Sequence, residues 1–321
     1  MKEQTIDVII PVYRPDRKLE MLLEKLVMQS LLPNKIILLN TEVFPEFSTT
    51  EIKKRVTELF HKIKVLGSKK IDIQIVSIAK EEFDHGGTRA YGSTLSDADY
   101  MIYMTQDAVP KDFALIHELI KPFEDPSVAV VYGRQEAQIN APIMEQYIRL
   151  FNYPDKDCKK TKADLERLGI KTFFSSDVCA AYRKDIYEEL GGFVKRTIFN
   201  EDSIFAANAI EADYAIYYAS NAKVLHSHSY TLMEQLRRNF DLGVSQREYQ
   251  DIFSRVSSEK EGTKLVKQAL SYLYDQKRYI EMFEFIMECG FKYTGYFLGK
   301  RYTYLPQKLC QWLSMNKAYW R

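Results

Sequence analysis

Three groups of residues in this chain have the types and spacing to do chemistry. Asp107 follows an apolar run, Tyr100-Met101-Ile102-Tyr103, and Thr105 and Gln106 turn polar where that run ends. A carboxylate at the carboxyl end of a strand lies where parallel α/β sheets gather ligands. Its oxygens suit Mg²⁺ or Mn²⁺, which in turn neutralise diphosphate charge. Glu201-Asp202 stands ahead of a helical run, Ser203 to Ile210. Such a pair is either a partner for the helix dipole or a general base that takes a proton from an attacking hydroxyl. His226 and His228 follow an apolar strand two residues apart, so they share one side of it. One of them ligates a metal or donates to a diphosphate, or else one is structural and the other exposed.

Two further segments carry polar groups suited to anions. In Phe83-Asp84-His85-Gly86-Gly87-Thr88-Arg89 the paired glycines permit close backbone approach, and the helix start that follows favours negative charge. Arg89 forks either onto phosphate or onto a carboxylate such as Asp84. Arg237-Arg238 lies on a helix beside Phe240, either reaching a diphosphate or facing solvent.

The elements that must position these groups alternate between strand and helix. Strand-like runs lie at Ile6 to Val12, Lys35 to Leu39, Ile71 to Ile78, Tyr100 to Met104, Val128 to Val131, Val178 to Tyr182 and Tyr214 to Leu225. Between them, Leu19, Leu22, Leu23, Leu26 and Val27 keep helical spacing and Pro33-Asn34 is a stop; Glu51 to Ile63, a segment from about Thr88, and Asp112 to Phe123 read as further helices. The pattern predicts an α/β fold, a mostly parallel sheet with helices on both faces. Glu136 to Lys171, with Pro142, Pro154 and a charged run, reads as a loop-rich flap. After His228 the chain reads as helical to its end.

Composition narrows the class. The 321 residues are 46% hydrophobic and 28% charged, a globular balance, and the net charge of +1 gives no field that would draw nucleic acid. Cys158, Cys179, Cys289 and Cys310 lack metal-site spacing, so reduced thiols in a cytoplasm are expected. No secretory signal is read at the N-terminus, and no apolar run reaches the ~20 residues a membrane span needs. Gly290 to Arg321 holds six Lys/Arg, nine aromatics and no acidic residue. That mixture suits either a lipid headgroup surface or a helical tail packed on its own domain.

The order Ile9-Ile10-Pro11-Val12-Tyr13, then Gln106-Asp107, then Gly191-Gly192-Phe193 and Glu201-Asp202 resembles the inverting glycosyltransferases of family two. The 83–89 segment, Thr105-Gln106-Asp107-Ala108, Ser176-Asp177-Val178-Cys179-Ala180-Ala181-Tyr182-Arg183 and His226-Ser227-His228-Ser229-Tyr230 resemble its rhamnosyltransferase branch. The resemblance covers nearly the whole chain. It implies a GT-A fold, with residues 1–230 as the nucleotide-sugar-binding catalytic domain and 231–321 as a C-terminal helical extension. It implies dTDP-L-rhamnose as donor, Mg²⁺ or Mn²⁺ as cofactor, and a lipid-linked saccharide as acceptor at the cytoplasmic face of the membrane.

Residue by residue, the resemblance places Asp107 at the last carboxylate of the family's DxD motif, with Thr105 where the first would stand. Asp202 matches the catalytic base, and His226 or His228 completes the metal or diphosphate site. Pro11, Val12, Tyr13 and Arg14 meet the nucleotide. Glu42 lies in Asn40-Thr41-Glu42, where the family carries an Asp. Asp84, Gly86, Gly87, Arg89, Gln106, Arg237 and Arg238 fall on the donor side, and Asp177 and Glu201 on the acceptor side. Gln235-Leu236-Arg237-Arg238-Asn239 lacks the Trp of the processive synthases, which argues against a polymer-extruding enzyme.

The expected reaction is a single displacement in cell-surface polysaccharide synthesis. The tail makes peripheral membrane contact, no nucleic acid takes part, and self-association is left open. The alternatives are a family-two enzyme using a UDP-sugar and a catalytically inactive glycan-binding protein, which would be expected to lose Asp107 or Asp202. A nucleotidyltransferase would need a glycine-rich loop after the first strand, where this chain has Tyr13-Arg14-Pro15-Asp16.

Overall fold

The computed structural model describes residues 4–42, 44–64, 71–228, 230–255 and 259–321, so Ser229 of the histidine segment lies outside the described residues. The strands are β1 (Ile6–Tyr13), β2 (Lys35–Glu42), β3 (Asp72–Ala79), β4 (Tyr100–Met104), β5 (Val109–Pro110), β6 (Val128–Glu136), β7 (Cys158–Lys160), β8 (Cys179–Arg183) and β9 (Ala215–Leu225). The helices are α1 (Arg17–Leu26), α2 (Thr49–Lys64), α3 (His85–Ser93), α4 (Leu115–Ile120), α5 (Ile143–Asn152), α6 (Leu165–Leu168), α7 (Lys184–Glu189) and α8 (Glu201–Glu211). They continue with α9 (Leu232–Glu248), α10 (Gln250–Phe253), α11 (Glu259–Asp275), α12 (Tyr279–Gly299) and α13 (Gln307–Leu313).

All the strands join one sheet in the order β3-β2-β1-β4-β8-β6-β9-β5, with β7 on another stretch of β9. The long ladders, β1–β2, β2–β3 and β6–β9, are parallel. β8 runs antiparallel between β4 and β6. Because successive side chains point to opposite faces, Val8, Ile10 and Val12 join one core with Leu19, Leu22 and Leu23 of α1. Ile9 joins the other, with Tyr103, Tyr182 and Phe205. Helices therefore cover both faces, as the buried, β-branched strands require.

Three local expectations change. Residues 136–171 are not a loop-rich flap: α5 packs its Met144 inward, and β7 is a member of the sheet. Pro142 stands at the N-cap of α5, where its missing N–H costs nothing, so it opens the helix instead of breaking it. The Asp112-to-Phe123 helix shortens to α4 because Asp112 Oδ1 turns back to accept from Ala114 N (2.9 Å). α1 ends before Pro33, since Gln29 Nε2 donates to the Lys25 carbonyl (3.1 Å).

The C-terminal helices form two smaller cores. Leu236, Phe240 and Val244 of α9 meet Cys310, Leu313 and Trp320. Met144 of α5 meets Ala269, Leu273 and Phe285 of α11 and α12. α9 and α12 approach backbone to backbone: a Cβ on Gly295 would lie 2.0 Å from the Leu236 carbonyl oxygen, and one on Gly299 would lie 2.1 Å from that of Phe240. The tail packs on its own domain in part. Trp320 packs on Phe240 and Tyr302 (5.9 and 5.5 Å between ring centroids), while Trp312 remains half exposed. All four cysteines are free.

Candidate active site

Asp107 meets the two histidines through a ladder too short to read from sequence. Val109 of β5 pairs with Leu225 at the end of β9, so the residues just before one and just after the other converge. Asp107 Oδ1 lies 3.6 Å from His226 Nε2, and Oδ2 lies 3.3 Å from His228 Nε2. One ligand atom from each of the three falls within 4.8 Å of the others. Burial, reinforced by the neighbouring His228, holds the His226 ring well below the ordinary histidine range, and burial also lowers His228. Both imidazoles are thus neutral near pH 7, the form that ligates a metal.

Gln135 and Arg149 back the His226 ring. Its Nδ1 lies 3.0 Å from Gln135 Oε1 and 3.1 Å from Arg149 Nη2. For Nε2 to bind a cation the proton must sit on Nδ1, and the Gln135 carbonyl is placed to accept it. Thr105, where a second carboxylate would stand, keeps a buried hydroxyl oxygen without a hydrogen-bond partner. An acid, two neutral imidazoles and an outer acceptor fit a divalent cation.

The second half of the site lies at the start of α8. Asn200 enters that helix at φ +68°, a left-handed conformation that asparagine tolerates, and its Nδ2 donates to Ser245 Oγ of α9 (3.1 Å). Asp202 Oδ2 then accepts from the Asp177 N–H (3.2 Å) and Oδ1 from the Ser203 N–H (2.6 Å). Two carboxylates, Asp177 and Glu201, share one guanidinium, and Asp202 lies in its field. Arg89 Nη1 is 3.0 Å from Glu201 Oε1, and Arg89 Nε is 3.3 Å from Asp177 Oδ2. Arg89 therefore holds the Glu201 carboxyl below its usual value despite burial. Burial drives Asp177 well up; its Oδ1 also accepts from Tyr182 Oη (2.6 Å). Burial and the Glu201 charge raise Asp202 to about 6. Environments that separate the pKa values of neighbouring carboxyls are a mark of assigned acid and base roles.

Contacts link the two halves. Gln135 Nε2 donates to Ser176 Oγ (2.9 Å), next to Asp177, while its Oε1 faces His226. Arg238 lies over Phe199 at 4.8 Å and over Tyr230 at 6.0 Å, and Tyr230 stacks on His228 at 5.1 Å.

Several residues expected to touch the donor, and Asp177 and Glu201 expected on the acceptor side, make their polar contacts within the protein. Arg89 forks onto Asp177 and Glu201, not onto Asp84 or open space, because burial demands compensation for its charge. Glu201 is correspondingly buried against it, as is Asp177. Asp84 caps α3 by accepting from Gly87 N (2.8 Å) and also faces Thr197 N. Gly86 and Gly87 admit protein backbone: added Cβ atoms would meet Val194 O at 2.1 Å and Lys195 O at 2.7 Å. Glu42 accepts from Thr49 N (2.7 Å) at the start of α2. Gln106 clamps the Tyr13 backbone with two hydrogen bonds of 2.9 Å, tying the end of β4 to the end of β1. Arg237 turns away from Arg238 onto Trp312, at 5.6 Å. Pro11 and Val12 stay within β1, Val12 in the core, and only Tyr13 and Arg14 emerge. Arg14 has φ +46° and stacks on Phe44 at 4.8 Å.

Sequence reasoning missed Gln135 and Arg149. Gln135 lies where β6 continues past its apolar run, and Arg149 on α5 in the segment read as loop. A glutamine in a polar strand end carries no signal of its own, and Arg149, five residues after Met144, does not share its helical face.

A curled α/β sheet with an acid–histidine cluster at its strand ends defines a glycosyltransferase of the GT-A type. The chain belongs to glycosyltransferase family 2: residues 7–191 match the profile described as Glycosyl transferase family 2. It is 36% identical over 324 residues to the O-antigen chain rhamnosyltransferase RfbN of Salmonella typhimurium (strain LT2), covering 98% of this chain and 96% of that protein. It is also 36% identical over 254 residues to the O-antigen chain rhamnosyltransferase WbaN of Salmonella anatum, covering 77% and 78%. Among solved structures it is similar to the mannosyltransferase PcManGT from Pyrobaculum calidifontis in complex with GDP-Man and Mn²⁺. That match has a TM-score of 0.64 at 11% identity and covers 93% of this chain and 88% of that one, a likeness of fold.

Proposed function

We propose that this protein is an inverting rhamnosyltransferase that moves L-rhamnose from dTDP-L-rhamnose to a hydroxyl of a lipid-linked glycan in cell-surface polysaccharide synthesis. Residues 1–230 are the catalytic domain, working at the cytoplasmic face of the membrane. The rhamnosyltransferase similar to this chain over nearly its full length supports the sugar. The observation that carries the reaction is the pairing of Asp202, a carboxyl raised to about 6, with the Asp107–His226–His228 cluster through the Gln135 bridge.

In this reading Asp202 accepts the proton of the acceptor hydroxyl. That oxygen forms a bond to the anomeric carbon, the bond from that carbon to the diphosphate oxygen breaks, and dTDP leaves. Asp177 N–H and Ser203 N–H orient the carboxylate. Asp107, His226 and His228 would hold Mn²⁺ or Mg²⁺, and two imidazoles beside one acid favour Mn²⁺. When bound, such an ion neutralises charge on the departing diphosphate. Arg238 stands beside His228 through Tyr230, where its cation adds to the same field.

Asp202→Asn tests the assignment. It is expected to lower transfer by about 10²–10⁴-fold, the range of general-base help, while dTDP-rhamnose still raises the melting temperature. Full turnover by the variant would remove Asp202 from the base role. A thermal-shift panel of dTDP-, UDP- and GDP-sugars, with and without Mn²⁺, checks the donor; a UDP-sugar giving the largest shift would replace dTDP-rhamnose.

A further inference from the structure

Helix α12 leaves one apolar face largely exposed among the described residues. Tyr279, Ile280, Phe283, Ile286, Met287 and Phe297 are each 40% exposed or more, and Ile280 reaches 75%. At 3.6 residues per turn they fall on one stripe, together with Tyr293, about 27 Å long. The opposite side is buried at Phe285, Gly295 and Gly299. The backbone contacts of those glycines with α9 fix the helix's rotation, so the stripe cannot turn inward. The acids Glu281 and Glu288 lie off the stripe, paired with Arg278 and Lys292, and Glu284 sits at its edge.

Cations stand at both ends of the stripe. Lys277 and Arg278 precede it, and the Arg301 guanidinium lies 3.7 Å from the Phe297 ring centroid. Beyond it the chain has no acidic residue to its end, and Lys308 and Lys317 are exposed near the half-exposed Trp312. No helix among the described residues is long and apolar enough to cross a membrane. Two copies joined stripe to stripe would set like charges against each other in either orientation, Arg301 on Arg301 or Arg301 on Lys277. An apolar band between cations instead matches an anionic lipid surface.

We propose that α12 lies flat on an anionic phospholipid bilayer, its stripe at the boundary of headgroups and acyl chains and Arg301, Lys308 and Lys317 among the headgroups. This rests on the reading that the acceptor is lipid-linked; α9, which carries Arg238, packs on the opposite side of α12.

The test is flotation of the full chain with phosphatidylcholine vesicles, with and without phosphatidylglycerol. Wild type is expected to float with the anionic vesicles and to be released by salt. Phe283→Asp/Met287→Asp alters exposed positions, so its melting temperature should hold, yet its partitioning should fall at least about tenfold, the effect of losing 1.4 kcal/mol or more of apolar burial. Arg301→Glu/Lys308→Glu should weaken binding to anionic vesicles selectively. Equal flotation of variant and wild type, or no flotation of wild type, overturns the proposal. So does a wild-type dimer in light scattering that the stripe variant breaks to monomers without changing flotation. Vesicle binding needs no substrate. Failed rhamnosyl transfer with intact flotation would therefore sink the transferase reading alone, and the reverse would sink only this one.

Discussion

Asp202 is the residue at which burial sets chemistry. Its carboxyl titrates near 6 in the fold against 3.8 for a free aspartate, so it is ionised at pH 7 and still basic enough to take a proton. kcat/KM should fall tenfold per pH unit below about 6, and an acid limb at the ordinary aspartate value would contradict the buried environment. The sign for stability is opposite. Because the folded value is raised, the group favours the fold below about 3.8 and that contribution is lost as pH rises through about 6. Arg89 is the counterweight. Arg89→Met leaves Glu201 and Asp177 buried without their partner, and a loss of about 3–5 kcal/mol is expected, read as a drop in melting temperature. A variant with native stability and impaired donor binding would instead return Arg89 to the phosphate role the sequence suggested.

Among the elements, α9 has the most to hold in place. It carries Arg238 toward Tyr230 and Phe199, steadies Asn200 through Ser245, and rests on α12 with no side chain between the backbones at Gly295 and Gly299. Gly295→Leu forces the helices apart and should cost about 1–3 kcal/mol or more by overpacking. It should also weaken donor binding, because Arg238 moves with its helix. Gly290, also on α12, has nothing within 4 Å of an added Cβ, so Gly290→Ala should stabilise slightly, by about 0.5–1 kcal/mol. Equal melting temperatures for the two variants would mean the helix contact is loose.

For the molecule as a whole, the layered sheet was legible because its central strands are buried on both faces and read as apolar runs. Asp107, Asp202, His226 and His228 were legible because polar groups interrupt the pattern where strands end or a helix begins. What stayed hidden depended on distant pairing. β5 is two residues long, β6 runs on through polar Arg134 and Gln135, and β7 is three residues among charges. β5, β7 and the polar end of β6 carry too little local pattern to be seen without their partner strands. Residues 83–89 carry a double signal for a related reason: glycines that admit a ligand's backbone approach admit the chain's own backbone equally well. The cationic tail was visible from Gly290 onward, but the apolar stripe begins at Tyr279, among acids that the helix turns aside.

The short ladder from Val109 to Leu225 also governs when the molecule becomes competent. On the ribosome Asp107 emerges more than a hundred residues before His226. A nascent chain therefore holds Asp107 without either histidine until the two ends of that ladder close. The three-residue cluster is in this way assembled only once synthesis has passed His228 and the polypeptide has come together, and a fragment ending earlier lacks it.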